Sequence, residues 1–158
     1  MERDKTRLVE IYLDENSIGS NTPEIHHERE VAIYDLLEDN YFELANGKAG
    51  PYRLVLSIQD AKLVMQVEKP DQSALMSYAL SLTPFRKIVK DYFLVCESYF
   101  EAIKTASPAK IEAIDMGRRG LHDDGSRLLM ERLDNKVSLD FDTARRLFTL
   151  ICALHWRG

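Results

Sequence analysis

The stretch LSLTPFRKIVKDYFLVCESYFEAIKTASPAKIEAIDMGRRGLHDDGSRLLMERL, residues 80–133, decides the fold. It opens two helices with one device. Thr83-Pro84 and Ser107-Pro108 each offer a hydroxyl that accepts from an orphan backbone N–H, followed by a proline where no helical bond is lost. After the first start, apolar residues fall at Phe85, Ile88, Val89, Tyr92, Phe93, Cys96, Phe100 and Ile103. That is helical spacing, with Lys87, Lys90, Glu97 and Glu101 on the opposite side. After the second start, Ile111, Ile114, Leu121, Leu128 and Leu129 continue a stripe. The spacing predicts helices over 84–106 and 108–133 joined by a tight corner.

Working outward, Leu8 to Leu13 is rich in Val and Ile and reads as a short edge strand. Asp14 to Asn21 is turn-like, and Thr22-Pro23 starts a helix over 23–39. Tyr52 to Gln59 alternates as a half-buried strand does. Asp60-Ala61 is a tight connection to a return strand over 62–68, and 74–82 makes a third meander strand. Beyond 133, only Val137 to Leu139 is extended, and a last helix over 142–156 caps at Asp140 or Asp142. Strands come first and helices last. The expected class is α+β: a small antiparallel β-meander packed against a mostly C-terminal helical bundle. At 158 residues one domain over 1–158 is expected, sheet-forming to about residue 83 and helical after it.

Composition excludes several classes. Hydrophobic residues make up 45% and charged residues 30%, as in an ordinary globular chain. The net charge of −5 argues against a general nucleic-acid binder. Residues 1–83 carry 8 basic against 15 acidic side chains, and residues 84–158 carry 13 against 11. An anionic partner would therefore favour the C-terminal half. Met1 to Asp14 has no apolar run, so no signal peptide or membrane span is expected. Cys96 and Cys152 both fall on predicted helices and read as small buried hydrophobes in a reducing cytoplasm.

Polar residues on apolar faces mark the candidate site. Side chains advance ~100° per residue along a helix. With Ile111 as zero, Arg118 falls inside the apolar arc of its helix, and Asp115 and His122 lie at its edge. Asp115 and Arg118 are three apart, and Arg118 and His122 four apart, so they can touch. His155 lies among Leu147, Phe148 and Ile151, and Arg29 between Ile25, Ile33 and Leu36. Burying a charge costs free energy unless it is paired. Arg29, Asp115, Arg118, His122 and His155 therefore either satisfy one another and lock the bundle, or form a pocket for an anionic group. Asp115 is within reach of both Arg118 and Arg119; if it takes Arg119, Arg118 is left for a ligand.

Other signals are weaker. His26 and Glu30 are four apart, but no H-E-x-x-H pattern exists, so no metal is expected. Arg118-Arg119 and Arg145-Arg146 could contact phosphates, but acids interleave them and they read as solvated helix faces. There is no nucleophile signature and no Gly-rich phosphate loop after a strand, so no cofactor is expected. Two functions stay open. One is a non-enzymatic binding or regulatory protein that recognises a protein partner or a small anionic ligand. The other is a small enzyme with His122 as general acid or base and Arg118 holding an anionic substrate. A homo-oligomer is compatible with either.

Three stretches, LSLTPFRKIVKDYFLVCESYFEAI, IEAIDMGRRGLHDDGS and DFDTARRLFTLICALHWR, together resemble a family of short, uncharacterised bacterial cytosolic proteins. The N-terminal strand and IHHEREVAIYDLLEDNYF fit it as well. The resemblance covers nearly the whole chain and implies a stand-alone bacterial protein. It implies no catalytic residue, cofactor or substrate.

Overall fold

The computed structural model describes residues 2–19 and 22–155. A short helix α1 (Glu2–Lys5) leads into β1 (Leu8–Leu13), a helical turn α2 (Glu15–Ile18) and α3 (Pro23–Glu38). Then come β2 (Phe42–Leu44), β3 (Tyr52–Gln59), β4 (Lys62–Glu68) and β5 (Ala74–Ser81). The second half holds α4 (Arg86–Thr105), α5 (Pro108–Leu133), β6 (Val137–Leu139) and α6 (Phe141–Ala153). The class is α+β. Positions 20, 21 and 156, at the ends of the predicted turn and last helix, lie outside the described residues.

The meander β3–β4–β5 is antiparallel, and Asp60 and Ala61 turn its first hairpin with φ of 52° and 60°. Strand order is β1-β3-β4-β5, so β1 is an edge strand. It pairs with β3 in parallel, however, which makes the sheet mixed where an antiparallel one was expected. The physical reason is the connection. The chain between β1 and β3 runs through α3, and a helical crossover returns the chain in the same direction. A second, two-stranded sheet pairs β2 with β6, Phe42 opposite Leu139. Three residues are too few for alternation to reveal β2 in sequence.

The capping logic holds at two of its three sites. Thr22 accepts from Ile25 N at 3.2 Å, and Ser107 from Lys110 N at 3.3 Å. Thr83 caps nothing: Thr83 to Phe85 form a 3-10 turn and α4 starts at Arg86 without a side-chain cap. Asp140 caps α6, accepting from Thr143 N at 2.8 Å. α6 is the most buried helix, with Ala144, Leu147, Phe148, Leu150 and Ile151 all in the core, and α3 and α5 pack against it. Its side chains share one continuous cluster with Leu54, Leu56, Leu63 and Met65 of the sheet.

The apolar stripe of α4 is only partly covered. Phe85 and Val89 are buried, and Tyr92, Phe93 and Cys96 half-buried, but Phe100 is 61% exposed and Ile103 49%. The bundle assignment holds at Phe85 and Tyr92, while Phe100 and Ile103 at the end of α4 lie beyond the covered core. In α5 the buried residues begin only at His122. The α4–α5 corner therefore extends beyond the third helix that would cover it. No described helix is long and apolar enough to cross a membrane.

Candidate functional site

Helix α5 is unbroken through Gly117, Gly120 and Gly125, so its 3.6-residue periodicity holds from end to end. That brings Asp115, Arg118, Arg119 and His122 to one side. On α6, Asp142, Arg145, Arg146 and Thr149 stand at the same spacing. The two segments, DMGRRGLH and DTARRLFT, share the pattern Asp-x-x-Arg-Arg-x-x followed by a hydrogen-bonding side chain. The pattern is readable in the sequence, yet the arginine pairs taken singly resemble solvated faces. The structure turns both copies toward each other across a cleft of about 360 Å³. Tyr92 of α4 and all of these residues except Asp115 line it. Their ends meet, with His122 Nε2 2.7 Å from Thr149 Oγ1.

The two copies differ in how they are neutralised. On α5, Asp115 takes both arginines. Arg118 donates to one carboxylate oxygen through Nε, at 3.1 Å, and through Nη2, while Arg119 Nη2 lies 2.9 Å from the other oxygen. Both ends of the Asp115 choice posed by the sequence are thus realised. The hydrogen bond from Arg118 holds the Asp115 carboxyl below its ordinary range, and the carboxylate raises Arg118 in turn. The Arg118 guanidinium also lies 4.8 Å over the Tyr99 ring. On α6 the internal pairing is missing. Arg145 Nε is 3.3 Å from Asp123 of α5, and Arg146 Nη1 donates to the Asp39 carbonyl at 2.9 Å. Asp142 makes no hydrogen bond or ion pair among the described residues. It sits in the first turn of α6, where the helix dipole favours a carboxylate.

His122 is 9% exposed and packed between Tyr92 and Phe148, whose ring centroids lie 5.5 Å and 5.2 Å away. The Thr149 hydroxyl donates its one proton to the Arg145 carbonyl at 3.0 Å, so it accepts from His122 Nε2–H. That tautomer leaves a lone pair on Nδ1, which is buried and has no partner. Burial, then the Arg145 charge, lowers the His122 pKa below its ordinary 6.5, with Asp123 opposing and Arg118 adding. The unfolded chain takes up this proton first, so folding stability is full above pH 6.5 and declines as pH falls through the folded-state value. The urea midpoint is expected to drop between pH 7 and pH 5. His122→Phe, which keeps a ring in place, should flatten that decline; an unchanged slope in the variant would rule out His122 as its source.

Two predicted site residues lie elsewhere. Arg29, 3% exposed, donates to the carbonyls of Ala153 at 2.9 Å and Leu154 at 3.1 Å, the last turn of α6. His155 bonds Glu28 at 3.0 Å and stacks on Phe93. A helical wheel identifies the buried face but not which neighbour it meets, and here the neighbour is the α3–α6 contact. His26 lies 3.6 Å from Glu15, and no cluster able to hold a metal occurs among the described residues.

Fold and site together define an α+β protein with an arginine-lined cleft between its C-terminal helices. The uncharacterised protein family UPF0262 matches residues 5–157, and the chain belongs to that family. It is 59% identical to the UPF0262 proteins of Agrobacterium fabrum and of Rhizobium meliloti over 152 residues, 96% of each chain. It is 57% identical to that of Mesorhizobium japonicum over 155 residues, 98% of this chain and 96% of the relative. No solved structure matches.

Proposed function

We propose that this is a non-enzymatic cytoplasmic binding or regulatory protein that holds an anionic group, of a small ligand or a protein partner, in the α5–α6 cleft. The observation that carries the reading is the convergence of Arg118, Arg119, Arg145 and Arg146 on one concavity. Each guanidinium has at least one partner and keeps further N–H donors for a ligand, which lowers the ordering cost of binding. Favouring binding over catalysis is His122 itself. One of its nitrogens is committed to Thr149 and the other is buried, so it orients the Thr149 hydroxyl and has no nitrogen facing a substrate.

Thermal unfolding with added anions tests this. A ligand at a hundred times its Kd stabilises by ~2.7 kcal/mol, which for a chain of this size raises Tm by roughly 5–10 °C. The rise is expected in wild type and should vanish when Arg145 and Arg146 are both replaced by Gln. An equal rise in that double variant would remove the cleft from consideration.

A further inference from the structure

The unequal neutralisation of the two arginine copies says what kind of anion the cleft suits. On α5 one carboxylate, Asp115, already serves two arginines. On α6 neither arginine pairs with its own Asp142; Arg145 leans on Asp123 through Nε only, and Arg146 meets a neutral carbonyl. Four cations against Asp115, Asp123 and Asp142 leave a formal surplus of one positive charge. That matches a phosphomonoester, which carries ~1.5–2 negative charges at neutral pH, when the ligand brings an ammonium of its own. Planar guanidinium forks from two helices also suit a tetrahedral group with several acceptor oxygens.

Asp142 adds a second requirement. It shares the α6 face with Arg145 and Arg146, lines the same cleft, and has no partner among the described residues. A bare dianion would be repelled by it. A ligand with a donor beside its phosphoryl group would instead satisfy it. The volume, about 360 Å³, is at the small end of the range for small-molecule pockets.

Resting on the binding reading above, we infer that the cleft takes a small phosphomonoester that also carries an amino group. The phosphoryl group meets Arg145 and Arg146, with Arg118 opposite, and the donor meets Asp142.

Calorimetric titration of the full chain with phosphoethanolamine, inorganic phosphate and acetate tests this, with circular dichroism checking that each variant is folded. Phosphoethanolamine is expected to bind most tightly and acetate least. Asp142→Asn should erase the preference for phosphoethanolamine while strengthening inorganic phosphate severalfold, a gain that general damage to the fold would not produce. Replacing Arg145 and Arg146 together by Gln should weaken both phosphates by roughly tenfold or more. If acetate binds as tightly as phosphate and depends on the arginines, the phosphomonoester inference fails and the anion-binding reading stands. If Asp142→Asn leaves the ranking unchanged, the donor requirement fails. If no anion binds, or the arginines are irrelevant to binding, the reading of the cleft fails as well. A phosphoserine heptapeptide that outcompetes phosphoethanolamine by more than about tenfold would overturn the small-molecule source.

Discussion

Gly125→Ala is expected to destabilise the protein by on the order of 3 kcal/mol, measured by urea unfolding. A Cβ at this position would lie 2.2 Å from Cζ of Phe148 and under 3 Å from two further ring carbons. The ring cannot retreat freely. It is fully buried, with Phe85 6.5 Å away, Tyr92 6.3 Å and His122 5.2 Å between ring centroids. Close-packed interiors accommodate an added methyl only by moving neighbours off their rotamers. Two of these neighbours, Tyr92 and His122, line the cleft, so the variant should also lose anion-induced stabilisation. Combining it with Phe148→Leu should recover part of the loss, because the clash is specific to that ring. Gly120→Ala is the control. A Cβ there meets nothing within 4 Å, so the change should be stabilising by ~0.5–1 kcal/mol. Gly125→Ala within 1 kcal/mol of wild type would mean that α5 and α6 do not approach at Gly125 and Phe148.

Arg29→Met is expected to cost about 3 kcal/mol, again by denaturant unfolding. The last carbonyls of a helix have no partner within it and form the negative end of its dipole. Arg29 supplies Nε to Ala153 and Nη2 to Leu154, and Nη1 lies 3.3 Å from the Gly19 carbonyl. Burial pulls its pKa below the ordinary arginine value, with Glu15 and Glu28 opposing, so the charge carries a desolvation penalty in the folded state. Methionine removes that penalty and fills much of the volume, but leaves buried acceptors without donors. Three lost charge-assisted bonds outweigh the relief. Arg29→Lys should fall between, since a single ammonium cannot reproduce a fork spanning two helix ends. A loss below 1 kcal/mol for Arg29→Met would show that water replaces the guanidinium at these carbonyls.

Helical periodicity put Arg118, Asp115 and His122 together because all three lie within two turns of one helix, where geometry is local. The same periodicity placed Arg29 and His155 on apolar faces, but their partners are backbone carbonyls and Glu28 across the α3–α6 contact. A capping arginine leaves no distinctive residue pattern, since every residue has a carbonyl. Phe100 and Ile103 continue the α4 stripe in perfect spacing and are still exposed, because periodicity does not say where the covering helix stops. The parallel pairing of β1 is set by the length and path of a connection and not by the strand's own residues. The repeated Asp-x-x-Arg-Arg pattern escapes the sequence reading, which takes each arginine pair singly as a solvated face. Only the packing of α5 on α6 turned two ordinary charged faces into opposing walls.

The Arg29 contacts span 124 and 125 residues of chain. The crossover helix α3 is thus fastened by carbonyls that lie far along the chain from it. The β3–β4–β5 meander and the α4–α5 corner are built from local contacts and form early on kinetic grounds. The docking of α3 on α6 closes a loop of 124 residues at Arg29 and is expected to follow them. A nascent chain lacking Leu154 would present Arg29 and the apolar side of α3 without their partners, and would be an expected target of chaperones until the remainder emerges.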